Sequence, residues 1–143
     1  MSILNMLPTY VNGEPINLAD WVKVYVPRLG VWHHGIVRRI YPTWNGLAVE
    51  IAHNMKKSGI TVSDWYEFAD GNVVVLQRHV ESEEHIRQIL ERVEANIGKP
   101  YDLFAQNCEH FASFAFTGQA ESKSIQLVGL VGAGVVALVL FGR

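Results

Sequence analysis

One cysteine among 143 residues is the scarcity that constrains this chain most. Cys108 has no second cysteine to bond with, and a single thiol is too few for a cysteine-rich zinc site. Basic excess is lacking as well: 12 Lys and Arg stand against 14 Asp and Glu, a formal net charge of −2. That balance argues against a nucleic-acid partner, because tracking phosphates takes a surplus of cations. Arg38 and Arg39 are adjacent, but neighbouring strand positions face opposite ways, so no basic patch is expected. The opening MSILNMLPTYVNGEP has no basic stretch followed by an apolar run, so no secretory signal is expected. No internal repeat and no low-complexity block is found. A reducing, intracellular setting is the expectation, with no metal and no cofactor.

What is present suits one folded domain: 49% of residues are hydrophobic and 18% charged. Residues 1 to 20 read as irregular. Trp21 to Val26, Trp32 to Tyr41 and Leu47 to His53 read as strands, the last two joined by a Pro42–Gly46 hairpin loop. Ile60 to Phe68 and Asn72 to His79 read as two more, split by Asp70-Gly71. From Ser82 the period becomes helical, through Ile86, Ile89, Leu90, Val93 and Ile97, and stops at Gly98 and Pro100. A second helix is predicted from Asn107 to about Thr117. Strands followed by helices make an α+β fold, an antiparallel sheet packed against helices.

The chemistry gathers around Asn107-Cys108-Glu109-His110-Phe111. With Asn107 as N-cap, Cys108 opens a helix, where free backbone N–H groups and the dipole favour a thiolate and could hold an oxyanion. His110 falls roughly opposite the cysteine on that helix and is a poor base. The sheet offers His33, His34, His53 and His79. By parity His33, Gly35 and Val37 share one face, and His34, Ile36 and Ile40 the other. His53 lies with Val49 and Ile51 and points inward. His79 and His85 read as solvated and idle. Taken alone, the cysteine also reads as a small buried hydrophobe and the inward histidine as a core residue.

Asn-Cys-Glu-His-Phe resembles the cysteine motif of the lecithin:retinol acyltransferase family, which includes the HRAS-like suppressor phospholipase/acyltransferases. The similarity runs along most of residues 19 to 118. Ala19-Asp20-Trp21-Val22-Lys23-Val24-Tyr25 is similar to that family's opening strand. His33-His34-Gly35-Ile36-Val37 and Val49-Glu50-Ile51-Ala52-His53 resemble its two histidine strands, and Gly98 to Phe104 its approach to the cysteine. The resemblance implies a circularly permuted papain-like fold. It also implies Cys108 as nucleophile, His33 as its base and His53 as the group that orients His33. Departures are Val37-Arg38-Arg39 in place of Tyr-Val-Gly, Thr117 in place of a tyrosine, and a wider histidine spacing that lengthens the hairpin between them.

Three segments are therefore expected: a thiol acyltransferase/hydrolase domain over 1–118, a polar linker over 119–124, and a hydrophobic C-terminal segment over 125–143. From Leu127 to Phe141 every residue is apolar or Gly. As a helix it would span about 22 Å, against roughly 30 Å of bilayer hydrocarbon. A membrane anchor is the expectation, placing the enzyme on an intracellular membrane with its catalytic domain on the cytoplasmic side. The expected activity is a membrane-associated, cysteine-dependent phospholipase A or acyltransferase acting on glycerophospholipid esters through a thioester, the phospholipid being its partner. Two alternatives stand beside it: a papain-like amidase or peptidase, and a non-catalytic membrane-tethered interaction module.

Overall fold

Runs of β-branched and aromatic residues punctuated by Gly, Pro and Asn-Gly turns fold into one twisted antiparallel sheet, set out here from a computed structural model that describes residues 10–11, 14–101 and 108–119. A two-stranded ribbon comes first, β1 (Tyr10–Val11) with β2 (Glu14–Pro15). The main sheet holds β3 (Trp21–Val26), β4 (Val31–Thr43), β5 (Gly46–Met55), β6 (Gly59–Asp64) and β7 (Val74–Arg78). Its order is β6-β5-β4-β3-β7, with every neighbour antiparallel. Three helices complete the described chain: α1 (Trp65–Ala69), α2 (Glu83–Asn96) and α3 (Cys108–Thr117). The fold is mixed α+β.

Both faces of the sheet are covered, which splits the core into two clusters. On one face Trp21, Ile36, Ala52 and Ile60 pack against Ile89 and Val93 of α2 and Phe111, Ala112, Ala115 and Phe116 of α3. On the other, Val22, Val37, Val49 and Ile51 pack against Trp65 and Phe68 of α1. Full burial of each such side chain contributes about 1.5–3 kcal/mol, so neither face is dispensable.

Three expectations are corrected. The strand predicted over Ile60–Phe68 ends at Asp64, and the chain turns into α1. Asp64 Oδ1 accepts from the Glu67 N–H at 2.8 Å, and Glu67 Oε1 accepts from the Asp64 N–H at 3.2 Å. This reciprocal cap stabilises a first turn that β propensity alone would not predict. Second, Ile40 packs with the α1-side cluster and not with His34 and Ile36. The β4–β5 register shifts between Val37 and Arg39, and the extra residue reverses the alternation beyond it. Third, the same bulge lets Arg38 and Arg39 both reach Glu50, at 2.9 and 3.5 Å, with Arg38 also paired to Glu94 of α2 at 2.6 Å.

The N-terminal stretch read as irregular contains the β1–β2 ribbon. Asn107 and the Leu127–Phe141 tail lie outside the described residues. Among the described residues no helix is long and apolar enough to cross a membrane.

Candidate active site

β4 and β5 deliver the two histidines from adjacent strands, and the pairing Gly35↔His53 sets their offset. His33 and His53 fall on the α1 side of the sheet, with His33 Nε2 and His53 Nδ1 2.8 Å apart. His53 Nε2 lies 2.8 Å from the Ser63 hydroxyl on β6. A three-membered polar chain, His33–His53–Ser63, therefore crosses three strands. Phe68 of α1 closes over it, its ring centroid 5.3 Å from His33 and 5.4 Å from His53. Gly35 makes that lid possible: a Cβ there would stand 2.9 Å from Phe68 Cε1 and 2.5 Å from Ile51 Cγ2.

Cys108 approaches from α3. The β4–β5 ladder begins at Gly35, so the peptide groups of β4 before it have no partner on β5. The sulfur occupies that opening. Its thiol donates to the Trp32 carbonyl at 3.6 Å, and the His34 backbone N–H points at the sulfur. These two groups flank His33 in the chain. With His33 Nε2 engaged by His53, the free ring nitrogen is Nδ1, the one nearer the backbone that the sulfur touches.

Burial governs the resting charges. Desolvation pushes the His33 imidazole down to about 4 and that of His53 down to about 3, the neighbouring His33 adding to the latter. Burial pushes the Cys108 thiol up. The backbone N–H groups of His34, Cys108 and Glu109 pull it down, and the Glu109 carboxylate adds to the rise. Desolvation exceeds the helix-terminus effect, so the expectation of a lowered thiol pKa is reversed: at rest the site holds a thiol and neutral rings. Burial, reinforced by Cys108, also raises the Tyr101 phenol.

The remaining histidines have other employment. His34 points to the opposite face, where its Nδ1 accepts from the Trp21 indole N–H at 2.9 Å. His79 and His85 are not idle. His79 Nδ1 lies 2.9 Å from the buried Asp20 carboxylate, which also accepts the Val80 N–H. His85 bridges the Glu81 N–H and the Phe116 carbonyl. His110 is buried within α3. Among the described residues no three His, Cys, Asp or Glu side chains converge to hold a metal ion.

Sequence reasoning missed Ser63, Phe68, Tyr101 and Asn54. Asn54, buried beside His53, donates to the Tyr101 carbonyl at 2.9 Å and so ties the segment that leads toward Cys108 to β5. Only Gly35, a glycine inside a strand between two singled-out positions, carried a local signal.

A lone thiol at a helix start, lodged on the backbone of a strand whose imidazole is bonded to a second imidazole, defines a cysteine–histidine site on an α+β domain. The family model described as Lecithin retinol acyltransferase matches residues 15–121. The chain belongs to the lecithin retinol acyltransferase family, and membership points to an enzyme of acyl transfer or acyl hydrolysis. Comparison with curated proteins returns no match.

Proposed function

We propose that this protein is a membrane-associated, cysteine-dependent phospholipase A/acyltransferase that works through a Cys108 thioester. The His33–His53–Ser63 chain is the observation that carries the reading, because it engages His33 Nε2 and leaves Nδ1 as the nitrogen to serve as base. When His33 Nε2–H donates to His53 Nδ1, and His53 Nε2–H to Ser63 Oγ, a lone pair is left on His33 Nδ1. That nitrogen takes the thiol proton as Sγ attacks the ester carbonyl carbon. The oxyanion meets the backbone N–H groups at the start of α3, the class of donor that removes about 3 kcal/mol from such barriers. Collapse breaks the C–O bond, His33 returns its proton to the leaving oxygen, and a lysophospholipid departs. Water, an amine or an alcohol then cleaves the thioester by the reverse route.

In this reading residues 1–118 form a circularly permuted papain-like domain, 119–124 a linker, and 125–143 a hydrophobic anchor that keeps the site on the cytoplasmic side of an intracellular membrane. Intact-mass measurement after incubation with phosphatidylcholine vesicles tests it. An adduct of one acyl chain is expected, absent in Cys108→Ala and nearly absent in His33→Ala. His34→Ala keeps much of it, because that ring belongs to the other face. No adduct under conditions where a peptide amide is cleaved would move the protein to the amidase reading.

A further inference from the structure

Five of the eight exposed large hydrophobic side chains among the described residues gather at one end of the sheet. Tyr25, Leu29, Val31 and Trp32 belong to the β3–β4 hairpin, and Val73 sits one residue beyond the Val24↔Val74 pair. Leu29 projects from a tight turn, where its own N–H and that of Gly30 both donate to the Val26 carbonyl. The Tyr25 and Trp32 rings meet edge to face at 5.3 Å, and Lys23 Nζ lies 4.5 Å over the Trp32 ring. From Trp21 to Val37 the charged residues are Lys23 and Arg28, with no carboxylate. Trp32 also supplies the carbonyl that holds the Cys108 thiol, so this end of the sheet adjoins the site.

Aromatic rings with a polar edge, aliphatic side chains at a turn, and cations beside them match the chemistry of an anionic lipid surface. We propose that the β3–β4 hairpin end docks into the interfacial zone of an anionic phospholipid bilayer and holds the Cys108 site against it. The inference rests on the lipid-ester reading above and adds to it a second contact, separate from the C-terminal segment. A phospholipid would then need to rise only a short way from its leaflet to reach the sulfur.

The lone cysteine makes the test direct. In a full-length Cys108→Ser background, Leu29→Cys carries a polarity-sensitive fluorophore, and Trp44→Cys, on the opposite hairpin, carries the same label as control. With phosphatidylcholine–phosphatidylserine vesicles the label at position 29 shifts to the blue and is quenched by brominated acyl chains, while that at position 44 does neither. In the otherwise natural chain, Arg28→Gln lowers activity on these vesicles about fivefold, the factor one basic residue contributes near an anionic surface. Its alkylation at Cys108 and its hydrolysis of a dissolved short-chain ester stay unchanged. A tip label that remains in water while the chain floats with the vesicles overturns the proposal. So does a lipid-independent shift that grows with protein concentration, which assigns the patch to a second copy. The labelling readout needs no turnover: a shifted label without lipid hydrolysis would sink the enzymatic reading and leave the docking edge standing.

Discussion

Alkylation of Cys108 across pH separates two ways of running thiol chemistry. A preformed thiolate–imidazolium pair reacts fast and evenly from pH 5 to 8. The geometry here favours the other case. An ordinary thiol with a pKa of about 8.5 is roughly 3% ionised at pH 7, and burial holds Cys108 above its ordinary value, so less is ionised. His33, pushed down to about 4, is protonated in about one molecule in a thousand at pH 7. Keeping that ring charged at neutral pH costs about 4 kcal/mol, which the site supplies only when the sulfur ionises beside it. With the single cysteine, iodoacetamide adds once per chain, and timed quenching with intact-mass readout gives the rate directly. The rate is expected to climb roughly tenfold per pH unit from 5 to 8 with no plateau. His33→Ala leaves that slope intact yet lowers acyl-enzyme formation by about 10²–10⁴, the usual contribution of a general base. A flat, fast profile through pH 5–8 would refute the reasoning, since it would mean that the ion pair exists at rest.

Three further outcomes are expected. The folded pKa values of His33, His34 and His53 lie below the unfolded value of 6.5, so the unfolded chain binds more protons in acid. Stability, read by urea midpoint, is therefore full above pH 6.5 and is lost from there down to about 4 for His33 and His34 and about 3 for His53, by up to roughly 1.4 kcal/mol per pH unit for each ring. A midpoint that does not change between pH 7 and 5 contradicts the burial of these rings. Ser63→Ala removes the far end of the polar chain, and the fall is expected in kcat, by about tenfold, with little change in melting temperature; an unaltered kcat removes Ser63 from the site. Gly35→Ala drives a methyl against Ile51 and Phe68, costs about 1–3 kcal/mol in denaturant titration, and displaces Phe68 from the imidazoles; full stability would show that the lid is loose.

Local rules carried the elements far. Ser82 caps α2, with its hydroxyl accepting from the His85 N–H at 3.0 Å, where the change of period places it. His53 is inward and 2% exposed, on the face that Val49 and Ile51 define. The rules failed where two elements negotiate. Parity along β4 breaks at the Arg38 bulge, which the sequence does not mark, and Ile40 changes face as a result. The Asp64–Glu67 capping pair was legible as Asp-x-x-Glu, but it lay hidden inside a β-rich run.

The amino-acid order by itself determined the alternating faces of the strands, the cysteine motif, and the separation of His33 from His34, because side-chain direction in a strand follows from the peptide geometry alone. Tertiary structure decided which partners those faces meet: Ser63 beneath His53, Phe68 over both rings, and the sulfur in the gap that β5 leaves beside β4. It also decided the sign of the Cys108 shift. A helix terminus lowers a thiol pKa wherever it stands, whereas desolvation depends on everything packed around the sulfur, and here that surrounding prevails.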